Sequence, residues 1–165
     1  MQGIDKYRRL YKAIGYTFTN EALLEQALTH RSAAKQHNER LEFLGDAILG
    51  MIVGETLFKR FPTVPEGKLT RMRSTLVKGD TLAELAKEAS VGELLNLGPG
   101  ELKSGGHRRS SILADAVEAI LGAIYLDSGM DEVRGVIDRL WETRINKLDP
   151  NAHPKDSKTR LQEFL

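Results

Sequence analysis

Asn38-Glu39-Arg40-Leu41-Glu42-Phe43-Leu44-Gly45-Asp46-Ala47-Ile48-Leu49-Gly50 decides how the rest of the chain reads. It lies in a run without proline between His37 and Phe61, and apolar periodicity of that length predicts a helix. Residues three and four apart on a helix share a face. Glu39, Glu42 and Asp46 stand at i, i+3 and i+7, so at about 100° per residue they fall within roughly 60° of one another. Leu41, Leu44, Ile48, Met51 and Ile52 take the other side and are expected to pack. Arg40 points elsewhere, and no Lys or Arg at helical spacing neutralises the acids.

Carboxylates this close repel by roughly 4 kcal/mol per pair at about 4 Å and an intermediate dielectric. Raised pKa values, full solvation, a basic partner or a divalent cation can relieve that. A second stretch bears on the choice. From Ile112 to Leu126 the charged residues are Asp115 and Glu118, three apart among Ala, Val, Ile, Leu and Gly. A helix apolar nearly all round is a central one, and bare carboxylates on it are costly unless matched. An acidic stripe on one helix is ordinarily a solvated face, but solvation is not open to acids on a buried helix. Gly45, Gly50 and Gly122 are expected to let the two helices approach closely. Both acid stripes then face each other around hard divalent ions with oxygen ligands, such as magnesium.

Composition narrows the setting. A chain of 165 residues is one domain, or one domain with a tail. It has no cysteine, hence no disulfide framework and no thiolate metal site. No apolar run is long enough to span a bilayer, and Met1 to Lys6 shows no signal-peptide core. A cytoplasmic protein without membrane contact is expected. Net charge is +1, which is no overall nucleic-acid signal, yet the charges are sorted. Lys68, Arg71, Arg73 and Lys78 share one acid-free segment, and Lys103, Arg108 and Arg109 another. Such clusters beside an acidic cleft suit phosphate contact.

Taken in order, the remaining pattern is all-α. A first helix covers Asp5 to Ile14 and stops at Gly15. Thr19 or Asn20 caps a second, with Ala22, Leu23, Ala27 and Leu28 inward. The long acidic helix runs to about Arg60. Glu66 opens the next, where an acid suits the dipole, and Gly79-Asp80 breaks and caps. Leu82 to Ala89 forms a short helix and Gly92 to Leu97 one more turn, while Leu97 to Ser110, rich in glycine, reads as loop. The second acidic helix ends at Gly129, and Val133 to Ile145 gives the final one. His30, His37, His107 and His153 show no compact ligand spacing and are expected to be satisfied or exposed. Ser32, Ser110 and Ser111 lack Asp–His partners for a nucleophilic mechanism.

Asn38 to Asp46 resembles the signature of the ribonuclease III family, with Leu28-Thr29-His30-Arg31-Ser32 ahead of it and Ala114-Asp115-Ala116-Val117-Glu118-Ala119 behind it. Leu97 to Gly106 is similar to the bacterial enzymes. The likeness spans nearly the whole chain in order, and its signature positions show no substitution. It implies a magnesium-dependent endoribonuclease that cuts double-stranded RNA to 5′-phosphate and 3′-hydroxyl ends, in rRNA or mRNA processing. Manganese is the implied substitute ion, and no small-molecule cofactor is implied. Glu42, Asp46, Asp115 and Glu118 are the implied metal ligands, with Asp46 and Glu118 central to catalysis. Glu39 and Glu66 match further acids of the cleft. Phe43 matches an aromatic that plugs a pocket on a second subunit of a two-fold homodimer, although an aromatic in a helix is ordinarily core. The implied organisation is a nuclease domain over 1–147, a linker over 148–157, and over 158–165 the start of a truncated double-stranded-RNA-binding domain. The alternatives are a non-catalytic double-stranded-RNA-binding module on the same fold, which the full set of acids disfavours, and an unrelated helical metal phosphohydrolase of small phosphates.

Overall fold

Apolar repeats at helical spacing, broken by glycine and proline, give eight α-helices in the computed structural model, which describes residues 2–151. They are α1 (Gln2–Ile14), α2 (Glu21–Ala27), α3 (Glu39–Arg60), α4 (Glu66–Val77), α5 (Gly79–Glu88), α6 (Pro99–Lys103), α7 (Ser110–Ser128) and α8 (Met130–Asn146). Two 3-10 turns, Val91–Leu94 and Gly106–Arg108, complete the order. Among the described residues the β structure is one isolated parallel bridge between Thr29 and Asn96. The expected RNA-binding-domain start over 158–165, most of the linker and His153 lie outside the described residues.

α7 is the axis. Twelve of its residues are buried, from Ile112 to Ile124, and it packs against α3, α5, α2 and α8. Leu113, Leu121 and Ile124 are almost wholly enclosed; truncating such a side chain to Ala costs about 2–5 kcal/mol. Gly129, at φ +94°, turns the chain from α7 into α8, a conformation that favours glycine. Asp127, at the end of α7, accepts from the backbone N–H groups of Thr19 and Asn20, each at 2.9 Å, and from the Tyr16 hydroxyl. This ties the α1–α2 connection to the central helix. Trp141 on α8 donates its indole N–H to the Leu76 carbonyl at 2.8 Å. That carbonyl lies in the last turn of α4, where helical partners run out. No helix of the described residues is long and apolar enough to cross a membrane.

Four local expectations are corrected. Ala22 is exposed, and Leu24 takes the inward position on α2. Met51 is half exposed, while Leu49, Val53 and Leu57 are buried, because the packed arc of α3 is rotated toward α7. The break before α5 falls at Lys78, whose backbone is extended, and Asp80 makes no capping bond. The loop over 97–110 contains α6, which begins with Pro99. Proline at a first helical position loses no intrahelical bond.

Candidate metal centre

Two glycines set the distance between the acid-bearing helices. A Cβ on Gly45 would lie 1.7 Å from the Glu118 carbonyl oxygen, and one on Gly122 2.4 Å from that of Leu41. The backbones of α3 and α7 therefore touch at this crossing. Gly50 takes no part, with nothing within 4 Å of its Cβ position, so only two of the three expected glycines serve the approach. Glu42 and Asp46 flank Gly45 on α3, and Asp115 and Glu118 lie on the facing turns of α7.

Glu42, Asp115 and Glu118 each offer a carboxylate oxygen within 4.8 Å of the others. Glu118 is 8% exposed. Asp46 has an exposed position on its helix, yet it acts on Glu118 and helps raise its pKa. Among the described residues none of the four forms an ion pair with Lys or Arg. Oxygen donors without an ion-paired cation, gathered where α3 crosses the buried α7, fit a hard divalent ion. Glu42, Asp115 and Glu118 would hold such an ion once their side chains close around it.

The protonation of the cluster follows from its burial. Glu118 is pushed up to about 9, first by burial, then by its hydrogen bond to Asp46 and the charges of Asp46, Glu42 and Asp115. Glu42 is pushed up to about 7 by burial and by the charge of Asp115. Asp115 is also raised by burial, with the Glu42 hydrogen bond and His30 working against the rise. A folded-state pKa raised above the unfolded value favours the protonated form, and the stability it confers is complete below the ordinary carboxylate range. That stability is lost as pH climbs through about 7 and about 9. The metal-free chain is therefore expected to melt at lower temperature at pH 9 than at pH 5, and Glu118→Gln to flatten the decline. Divalent ions are expected to restore the alkaline loss and to release protons on binding. Thermal melts in chelator and in metal at both pH values check this; a melt that rises with pH in chelator contradicts it.

A cleft of about 320 Å³ opens onto the cluster, lined among others by Glu39, Glu42, Asp115, Glu101, Arg31 and Arg109. Its wall before α3 is braced by the Thr29–Asn96 bridge: His30 N–H donates to the Asn96 carbonyl, and Asn96 N–H to that of Leu28. Asn38 is 5% exposed and donates its side-chain amide to the Ala27 carbonyl at 3.0 Å. It thereby fixes the start of α3 and the direction of Glu39 and Glu42.

The other expected site residues are dispersed. Glu39 is exposed at the rim, 3.9 Å from Arg31. Glu66 is exposed at the start of α4 and does not line this cleft within one protomer. Lys68, Arg71 and Arg73 follow it along α4, with Arg73 beside Gly54 of α3. Lys103 is exposed at the end of α6. Arg108 lines a separate groove with Lys87 and Ser90, whereas Arg109 stands in the acidic cleft. Phe43 is 78% exposed, so it is not a core aromatic of this protomer. His30 is satisfied by Ser32 at 2.8 Å, while His107 departs from expectation, with a buried Nδ1 that has no partner among the described residues. Arg31 and Glu101 are cleft residues that the sequence pattern does not single out. Their roles depend on contacts between chain-distant segments or loop turns, which helical spacing does not signal.

The domain is all-α, with acids brought together at a glycine-mediated helix crossing that fits a divalent ion, and comparison with known proteins gives its class. Residues 20–144 match the family model described as ribonuclease-III-like, and the chain belongs to the ribonuclease III family. It is 58% identical over its whole length to Ribonuclease 3 of Shewanella amazonensis, covering 73% of that protein. It is 61% identical over 96% of its length to Ribonuclease 3 of Aliivibrio fischeri, covering 71% of that protein. The crystal structure of the nuclease domain of ribonuclease III from Campylobacter jejuni superimposes with a TM-score of 0.82 at 40% identity, over 90% of this chain and all of that one. Dicer from Pichia stipitis shows the same fold more distantly, with a TM-score of 0.64 at 29% identity, over 79% of this chain and 58% of that one.

Proposed function

We propose that this chain is a metal-dependent endoribonuclease that hydrolyses double-stranded RNA to 5′-phosphate and 3′-hydroxyl ends, with magnesium as the working ion and manganese as its substitute. The observation that carries the reading is the meeting of Glu42, Asp115 and Glu118 within 4.8 Å in a chain of the ribonuclease III family. Glu42, Asp46, Asp115 and Glu118 would hold the ions. Once bound, such ions acidify water and stabilise charge on phosphoryl oxygens. The chain's own residues set the geometry. Gly45 and Gly122 hold the two helices in register, and the buried flank of α7 keeps Glu118 from swinging into solvent. Glu39 and Glu66 extend the acidic surface. Arg109, with Lys103, Arg108, Lys68, Arg71 and Arg73, supplies the cations that meet RNA phosphates. Recognition of RNA over DNA follows from A-form shape and 2′-hydroxyls.

The working unit is a two-fold homodimer. Phe43 supports this: a phenyl ring 78% exposed on a rigid helix, one turn from the cage, is suited to burial by a second copy. A solved structure of the Campylobacter jejuni nuclease domain, similar at 40% identity and a TM-score of 0.80, is described by flexibility in a region involved in dimer formation. Wild-type protein is expected to sediment as a dimer at micromolar concentration and Phe43→Glu as a monomer that has lost cleavage. A wild-type monomer contradicts the dimer.

The nuclease domain occupies 1–147, a linker 148–157, and the start of a double-stranded-RNA-binding domain 158–165. This chain covers 70–73% of the length of the curated relatives it matches. The chain acts in the cytoplasm on precursor rRNA and mRNA duplexes. A long RNA duplex, its separated strands and a small phosphate monoester, each offered with magnesium, test the substrate class. Cleavage of the duplex alone is expected; turnover of the monoester but not the duplex overturns the reading.

A further inference from the structure

The acidic cleft contains an arginine that is paired away from Glu42 and Asp115. Arg109 precedes α7 and shares the cleft with Glu42 and Asp115. A free guanidinium there would be drawn to the uncompensated carboxylates and would occupy the place of a cation. Instead its Nη1 donates to both oxygens of Glu101, at 3.1 and 3.0 Å. The remaining guanidinium N–H groups make no side-chain hydrogen bond among the described residues.

Glu101 is itself built into place. Its side chain is only 20% exposed. The Ser104 hydroxyl donates to its Oε2 at 3.0 Å. Its Cγ lies 2.7 Å from where a Cβ of Gly106 would sit, so the glycine backbone closes over it. A half-buried, charge-assisted pair of this geometry is stronger than an exposed one. By contrast, the second arginine of the cleft, Arg31, is mostly exposed and 3.9 Å from Glu39.

We infer that Glu101 is a positioning residue: it tethers Arg109 at the rim of the cleft, keeps the guanidinium out of the metal cage, and leaves its free N–H groups for a phosphate of the RNA duplex. This rests on the reading of the site given under Proposed function and adds a residue to it. Two consequences separate the tether from mere support of the fold. Loss of Glu101 acts through Arg109, so its effect vanishes when Arg109 is already gone. It also acts on substrate affinity more than on turnover.

The test is steady-state cleavage of a long RNA duplex in saturating magnesium by wild type, Glu101→Gln, Glu101→Asp, Arg109→Gln and the Glu101→Gln/Arg109→Gln double variant, with melts to confirm folding. Glu101→Gln is expected to raise KM three- to tenfold with kcat within twofold, Glu101→Asp to recover most of the wild-type KM, and the double variant to match Arg109→Gln. Additive effects in the double variant, or an unchanged KM in Glu101→Gln beside a raised one in Arg109→Gln, overturn the tether alone. An unchanged KM in Arg109→Gln overturns the phosphate role of Arg109 and the tether with it. A wild-type chain that leaves the duplex intact fails the underlying reading.

Discussion

Glu118→Gln is expected to lower cleavage of duplex RNA by at least about 1000-fold, a loss of about 4 kcal/mol in transition-state stabilisation, while leaving duplex binding nearly intact. The substitution is nearly isosteric, and its neutrality matches the metal-free state, in which burial and Asp46 already push Glu118 up to about 9. The fold therefore has no reason to suffer. What disappears is a carboxylic acid that would release its proton to solvent and turn the resulting charge toward a bound cation. Binding survives because Glu118 is 8% exposed and sits behind the rim, away from Arg109 and the basic segments. Cleavage kinetics paired with a mobility shift check both halves, and wild-type rates from the variant contradict the assignment.

Gly45→Ala is expected to be the most damaging single change outside the acids. Alanine is a better helix former than glycine by about 1 kcal/mol, and on an open helix face it would stabilise. Here the added methyl would lie 1.7 Å from the Glu118 carbonyl oxygen and 2.6 Å from its carbon. Those are backbone atoms, so no side-chain rotation relieves the clash and α3 must move off α7. Overpacking of this kind costs about 1–3 kcal/mol, occasionally more, and separation of the helices parts Glu42 and Asp46 from Asp115 and Glu118. A drop in melting temperature together with loss of metal-dependent cleavage is expected. Gly50→Ala is the matched control. It has open space around its Cβ position and is expected to leave the melt unchanged or raised. Equal behaviour of the two variants contradicts the role of the crossing.

The acids could be found in the sequence because their signal is local. Glu42 and Asp46 are spaced by one helical turn, and Asp115 and Glu118 interrupt a segment otherwise too apolar to be anything but central. The crossing was half legible: glycines invite close approach, but nothing local distinguishes Gly45, which meets backbone, from Gly50, which meets nothing. The orientation of α3 was less legible still. Its apolar residues cover more of the helix than one neighbour can bury, so Met51, Phe43 and Phe58 stay exposed, and periodicity cannot tell which part of a broad arc is left over. The rim was hidden for a different reason. Arg31 with Glu39 and Ser32 with Gly98 are contacts between distant segments, while Glu101 with Arg109 depends on the turn that Gly105 and Gly106 make. α6 was masked by its glycines, though Pro99 at its start and Lys103 at its end were available signals.

The most direct measurement is cleavage of a long RNA duplex as a function of magnesium concentration, with the product ends mapped. The account predicts no cleavage in chelator, a rise with added magnesium, and products that carry 5′-phosphates and 3′-hydroxyls. Cleavage that proceeds equally in chelator, or products ending in 2′,3′-cyclic phosphates, would contradict a metal cage formed by Glu42, Asp46, Asp115 and Glu118.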